Sequence, residues 1–182
     1  MKEDIEVKIQ NVVVSVVFPN ELNLSKIAEK VEGAEYEPEV FPGLVMRLQK
    51  PKAGLLVFRS GKVNCTGARS IDEAKEVIEK FIEILKSAGI TVSGKPEMEI
   101  QNIVASADLK KEINLDKIAF TLENVEFEPE QFPGLVYRMD DPKVVFLIFR
   151  SGKIVCTGAR KPEDVNKAAR KLKKILEKIG AF

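Results

Sequence analysis

Residues 6–17 are rich in Val and Ile, and in their alternation Val12, Val14 and Val16 oppose Asn11, Val13 and Ser15, which predicts a strand. Leu24, Ile27, Ala28 and Val31 recur at helical spacing behind an Asn/Ser cluster, so a helix is expected over 23–31. Short extended segments follow around 35–37, 44–48, 55–58 and 63–66. Pro51 marks one turn, and Ser60-Gly61 suits a tight connection between the last two strands. Ala74, Val77, Ile78, Phe81, Leu85 and Ala88 form one stripe, predicting a long amphipathic helix over 71–88. A second such stripe, Val165, Ala168, Ala169, Leu172, Ile175, Leu176 and Ile179, predicts another over 162–179.

The pattern returns because the chain is a duplication. Ile9-Gln10-Asn11 recurs as Ile100-Gln101-Asn102, and Phe41-Pro42-Gly43-Leu44-Val45 as Phe132-Pro133-Gly134-Leu135-Val136. The segments Phe58–Lys62 and Cys65–Arg69 recur as Phe149–Lys153 and Cys156–Arg160. Every pair lies at offset 91 without a gap, and about 40 of the 91 aligned pairs are identical. The repeats are therefore 1–91 and 92–182. Two copies are too few for a stacked solenoid, so halves related by an approximate two-fold axis are expected. Each half reads as strand, helix, four strands, helix, which argues for an α+β fold with an antiparallel meander and against a parallel βαβ array.

Strand parity leaves a second face to be explained. Val63 and Cys65 point one way, Asn64 and Thr66 the other; Ile154 and Cys156 likewise oppose Val155 and Thr157, and Leu55 and Val57 oppose Leu56 and Phe58. One set suits a core against the amphipathic helices. The helices cover one side of a sheet, so Val13, Leu56, Phe58, Thr66 and their twins are expected to form a patch that is neither polar nor fully apolar. A sheet buried on both faces or a homodimer interface would account for it, and so would a partner surface. Phe41 and Phe132 each lie in a Glu-Pro-Glu-x-Phe-Pro-Gly segment, where Pro and Gly exclude a regular element. A lone loop Phe plugs a local gap; two at equivalent positions, each near Phe58 or Phe149, suggest paired wedges. Arg47, Arg59, Lys62 and Arg69 recur as Arg138, Arg150, Lys153 and Arg160, either as a solvated rim or as a grip on phosphates.

Composition narrows the classes. With Lys+Arg 29 against Asp+Glu 28 the formal charge is +1, which excludes a highly charged disordered tail and lends nothing to nucleic-acid binding by net charge. The balance divides into −1 for residues 1–91 (13 basic, 14 acidic) and +2 for 92–182 (16 basic, 14 acidic). There is no His and no Trp, and Cys65 and Cys156 alone can neither cage a metal nor staple a chain of this length; no cofactor is expected. The first thirty residues lack a signal pattern and no long apolar run occurs, so an intracellular protein without a membrane segment is expected. Neither G-x4-G-K-[ST] nor G-x-G-x-x-G is present, and Asp140-Asp141 is matched by Gln49-Lys50 in the other copy. With both Cys on the core side, an enzyme is not expected. Abundant Lys and Glu hint at heat tolerance.

These motifs, IQN with a following V/I-V, EYEPEVFPGLVMR with FEPEQFPGLVYR, and FRSGK-x2-CTGAR twice, resemble the TATA-box-binding protein family, the archaeal form more than the eukaryotic. The likeness covers nearly all 182 residues. It implies a saddle, one curved antiparallel sheet with helices on the convex side and DNA on the concave side. Asn11 and Asn102 would then bond base edges, helped by Thr66 and Thr157, since the minor groove at A·T pairs presents acceptors. Val13, Val104, Leu56, Leu147 and Val155 would lie on the groove floor and exclude the guanine amino group. Phe41 with Phe58, and Phe132 with Phe149, would be wedges; Arg47, Arg59, Arg138, Arg150, Ser60 and Ser151 would reach phosphates or the groove edge. This family is itself the standard example of minor-groove wedging, so that mechanism comes with the resemblance.

The resemblance also implies A/T-rich promoter DNA as ligand, transcription factor B at the acidic loop of Glu128 and Glu130, recruitment of RNA polymerase, and a nucleoid-associated cytoplasmic location. A homodimer through the concave face is expected when DNA is absent. Two departures stand out. Asn64 occupies a floor position where Val155 is the twin, and Glu37 and Glu39 repeat the acidic loop in the first half. The last helix is also far more basic than its twin, with Lys161, Lys167, Arg170, Lys171, Lys173, Lys174 and Lys178. The rival function is a non-enzymatic scaffold that holds a polypeptide on the same face.

Overall fold

The computed structural model of the chain describes residues 5–94 and 96–182. Among them are nine strands and four helices in an α+β arrangement. They divide into two compact units: Asn11–Gln101, and Asn102–Phe182 together with the described residues through Gln10. Both boundaries run inside the first strand of a repeat, β1 (Val7–Val17) or β5 (Met98–Asp108).

The Asn11–Gln101 unit contains α1 (Leu24–Lys30), β2 (Leu44–Gln49), β3 (Lys52–Val57), β4 (Lys62–Ala68) and α2 (Ile71–Ser87). Its strands are antiparallel in the order β2-β3-β4-β1. The other unit contains α3 (Leu115–Thr121), β6 (Val125–Glu126), β7 (Leu135–Asp140), β8 (Lys143–Ile148), β9 (Lys153–Ala159) and α4 (Pro162–Ile179), with the order β6-β7-β8-β9-β5. The expected strand–helix–strands–helix sequence is therefore present, with two local differences. The segment near residue 35 forms only an isolated bridge, Glu35 to Val45, whereas its twin is the two-residue β6. Phe58 and Phe149 fall one residue beyond β3 and β8, in the turn. There the Phe58 N–H donates to Lys62 O at 2.9 Å and the Gly61 N–H to Phe58 O at 3.0 Å, which closes the loop as a tight hairpin connection.

Local chemistry explains the helix ends. Asn23 and Asn114 cap α1 and α3 by accepting from the Lys26 and Lys117 N–H groups, both at 3.1 Å. The Ser70 hydroxyl accepts the Glu73 N–H at 3.0 Å and starts α2. α4 instead begins with Pro162, which lacks the N–H that a first turn leaves unpaired, and ends at Gly180 with φ 72°. Lys80 and Lys171, among the few identical residues in the two long helices, reach back to the Lys50 and Asp141 carbonyls and tie each helix to the β2–β3 or β7–β8 turn. Among the described residues no helix is long and apolar enough to cross a membrane.

The core lies between each long helix and one face of its sheet. Val12, Val14, Leu55, Val57, Val63 and Cys65 are fully buried in one unit, as are Ala74, Val77, Phe81 and Leu85 of α2. The other unit buries Ile103, Phe146, Ile148, Val165, Ala168, Leu172 and Leu176. One exchange keeps the volumes matched. Leu55 on β3 and Phe81 on α2 correspond to Phe146 on β8 and Leu172 on α4, so the ring moves from helix to strand while total bulk is conserved.

Burial, aided by the Glu73 carboxylate, pushes the Cys65 thiol up to about 11, and burial alone does the same to Cys156. The folded chain thus holds both thiols neutral where an unfolded one would ionise them. Their contribution is complete below the ordinary thiol value of 9.0 and is lost as pH rises through about 11. Urea denaturation between pH 8 and 11 is expected to show a loss of stability that is shallower in the Cys65→Ala/Cys156→Ala double variant. Equal pH slopes for the two proteins would refute the assignment.

Candidate nucleic-acid interface

The face of each sheet turned away from its long helix carries the residues selected by strand parity. Val13, Leu56, Phe58 and Asn64 are half-buried and Thr66 is exposed; Val104, Leu147, Phe149, Val155 and Thr157 are half-buried. Cross-strand pairing aligns them in rows. Val45, Leu56, Asn64 and Ser15 are successive partners in one unit, and Val136, Leu147, Val155 and Ser106 in the other. Ser15 accepts from the Gln101 side chain at 2.8 Å, which satisfies this buried hydroxyl. A second row runs Arg47, Gly54, Thr66, matched by Arg138, Val145, Thr157.

A β-bulge sets the polar group beside that row. Two steps of β1, Val12 to Val14, face three of β4, Ala68 to Cys65. The extra residue is accommodated at Gly67, whose φ of +103° favours glycine. Its N–H leaves the ladder and donates to Asn11 Oδ1 at 2.7 Å. That bond fixes the flip of the carboxamide: oxygen inward on the backbone, NH2 outward. Asn11 Nδ2 donates to Thr66 Oγ1 at 3.2 Å, which leaves its second N–H and the Thr66 hydroxyl proton available. The other unit repeats the device with Gly158 (φ +102°), 2.7 Å to Asn102 Oδ1, and with Asn102 Nδ2 to Thr157 Oγ1 at 3.1 Å; there the Thr157 hydroxyl is also within 3.4 Å of Asn102 Oδ1 as a donor. Both sites are donor-presenting, and suit acceptor-lined surfaces.

The two aromatic pairs also form. Phe41 and Phe58 stack edge to face with centroids 6.0 Å apart, and Phe132 and Phe149 do so at 5.9 Å. Phe41 and Phe132 remain 38% and 42% exposed, unlike the core rings. Their loops are closed by N–H groups of Val40 and Phe41 on Glu37 O, and of Gln131 and Phe132 on Glu128 O. Gly43 makes the pairing feasible: a Cβ there would stand 2.8 Å from Phe41 Cε1 and 3.0 Å from Phe58 Cε1, with 2.8 and 2.9 Å at Gly134.

Around the face the basic residues are exposed and loosely held. Arg59 pairs with Glu21 at 3.8 Å, Arg150 with Glu112 at 4.0 Å and Arg138 with Glu126 at 3.9 Å. Pairs this long and solvated contribute little, so the guanidinium groups can turn to another anion. Arg47 makes no ion pair among the described residues. Ser60 and Ser151 accept from the Lys62 and Lys153 N–H groups at 3.4 and 3.5 Å, which leaves each hydroxyl proton free to donate. The Glu128 and Glu130 carboxylates are exposed, like those of Glu37 and Glu39. Each unit thus assembles its own Asn–Thr pair, apolar row and Phe pair. The sequence reading overlooked Gly67, Gly158, Gly43, Gly134 and the Val45 and Val136 ends of the rows. The glycines lie in the repeated T-G-A and F-P-G triplets, and the two valines close the repeated Phe-Pro-Gly-Leu-Val segment.

A family model described as "Transcription factor TFIID (or TATA-binding protein, TBP)" matches residues 6–88 and again 97–179. The chain is 54% identical to the TATA-box-binding protein of Picrophilus torridus over 182 residues, covering 99% of each. It is 60% identical to that of Methanocaldococcus jannaschii over 174 residues, covering 96% of this chain and 93% of the relative. The solved structure of "Methanococcus jannaschii TBP" superposes with a TM-score of 0.88 at 59% identity, covering 97% of this chain and 99% of that one.

A Gly43→Ala substitution is expected to separate the Phe41 and Phe58 rings while leaving the Phe132–Phe149 pair as it is. Aromatic proton shifts of Phe-labelled protein measure this, because the edge-to-face contact moves ring resonances. Unchanged shifts for Phe41 and Phe58 would contradict the role given to Gly43.

Proposed function

The chain belongs to the TATA-binding protein family, and from that premise we propose that it grips promoter DNA through the donor-presenting face of each unit. The family is one of non-enzymatic general transcription factors that bind TATA promoter DNA, and this chain is of the archaeal type. One observation carries the proposed mode of contact: in each unit a bulge N–H locks an Asn carboxamide with its donors outward. The minor groove at A·T pairs offers only the acceptors adenine N3 and thymine O2, whereas a G·C pair adds a donor that such a surface repels.

On this reading Asn11, Thr66, Asn102 and Thr157 donate to base edges. Val13, Leu56, Val104, Leu147 and Val155 lie against the groove floor, with Asn64 beside them. Phe41 and Phe58 enter one base step and Phe132 and Phe149 another, a mode for which this family is the standard example. Support comes from the pairing and exposure of the rings, since a wedge must be both rigid and accessible. Arg47, Arg59, Arg138, Arg150, Ser60 and Ser151 bind phosphates, consistent with their exposure and weak internal bonds. The repeats 1–91 and 92–182 act as the two halves of the DNA reader. Glu128 and Glu130 contact transcription factor B, which brings RNA polymerase, and the protein works at the nucleoid. Without DNA the same apolar rows support a homodimer.

Mobility shifts over a salt series are expected to give tight binding to an A/T-rich duplex, with a typical G·C replacement costing about 1–3 kcal/mol and affinity falling as salt rises. Equal, weak binding to A/T-rich and G/C-rich duplexes would remove the promoter reading and favour a polypeptide scaffold. The wedges have their own test. Phe41→Ala with Phe58→Ala is expected to reduce energy transfer between dyes on the two DNA ends, and an undiminished bend would remove the wedge assignment.

A further inference from the structure

The internal duplication makes each unit a control for the other, and the apolar rows differ at two adjoining places. Asn64 on β4 replaces Val155, and Gly54 on β3 replaces Val145. Asn64 pairs across the ladders with Leu56 and Ser15, while Gly54 pairs with Thr66, so Asn64 and Gly54 are diagonal neighbours on one face. The two changes act in the same direction: one removes a branched side chain, the other introduces a polar one. A Cβ at Gly54 would meet only Thr66 Cγ2, at 3.6 Å, so the space is not needed to accommodate the backbone.

The carboxamide of Asn64 differs in kind from those of Asn11 and Asn102. Their oxygens are held by the Gly67 and Gly158 N–H groups, which turns their NH2 groups outward. Asn64 is half-buried, and among the described residues its side chain makes no hydrogen bond, so it can rotate to present either oxygen or nitrogen. The one minor-groove donor of any base pair is the 2-amino group of guanine. A Val floor rejects that group by bulk and by leaving its N–H groups unpaired. An amide oxygen beside a side-chain-free position accepts it.

We propose that Asn64 is a specificity-determining residue: its carboxamide oxygen accepts from the guanine amino group, with room made by Gly54. The Asn11–Gln101 unit therefore tolerates one G·C pair in its half of the site, while Val155 and Val145 exclude it in the other. A site with one G·C-tolerant half is read in one direction, so this asymmetry gives the protein a preferred orientation on DNA. The inference rests on the minor-groove reading above and goes beyond it.

The test is fluorescence anisotropy with a panel of short A/T-rich duplexes, each carrying a single G·C pair at a different position and in either strand sense. For the wild-type protein most replacements are expected to weaken binding on the order of tenfold or more, and one position in one half by less than about threefold. Asn64→Val, a side chain its twin shows the fold accepts, is expected to restore the tenfold loss at that position alone. Val155→Asn with Val145→Gly is expected to create tolerance at the symmetric position. An Asn64→Val profile identical to wild type, with discrimination retained elsewhere, would overturn the proposal alone. Loss of discrimination at every position in the wild type would overturn it together with the minor-groove reading.

Discussion

The hydrogen bond from Gly67 N–H to Asn11 Oδ1, and its twin from Gly158 to Asn102, both 2.7 Å, tie the fold to the chemistry of the exposed face. A free asparagine can turn either end of its amide outward; one whose oxygen is held against the backbone turns its NH2 outward. The bond requires a backbone N–H released from the ladder, hence the bulge, and the bulge requires a residue at φ near +100°, hence glycine. It also requires β1 and β4 to keep their register. The buried Val12, Val14, Val63 and Cys65 on the opposite side supply that constraint, because a slip of one residue would turn them to solvent.

The same alternation divides each strand between stability and recognition. Positions facing the long helices are volume-matched, to the extent that Leu55 and Phe81 become Phe146 and Leu172 when the repeat is redrawn. Many positions on the other face are half-buried and vary between the repeats, as at Gly54/Val145 and Asn64/Val155. A near-zero total charge is compatible with this arrangement. Four exposed arginines flank the rows, three in long solvated ion pairs and Arg47, among the described residues, in none, so the local field at the face need not follow the net charge of +1.

Much of the architecture was legible in the sequence because the core is periodic and stated twice. The 162–179 helix is found at those bounds, and the parity assignments of β1, β3, β4 and β9 hold. Phe58 and Phe149 were expected on strands and instead occupy turns, since hydrophobic alternation continues one residue beyond the last ladder pairing and carries no record of it. The expected strand at 35–37 is reduced to one bridge for a similar reason: an extended pattern does not specify how many partners it finds. The side chains of the face were identified, but the glycines that orient them were not. A positive φ or a released N–H leaves no hydrophobic signature, and appears only as a small residue retained in both copies.

The central claim is that outward amide and hydroxyl donors read base acceptors in the minor groove. Inosine isolates it, because an I·C pair has the major-groove pattern of G·C but lacks the guanine amino group and so matches A·T in the minor groove. Affinity for an A/T-rich duplex with its A·T pairs replaced by I·C should remain near that for the parent. A fall to the level of the corresponding G·C duplex would contradict the account.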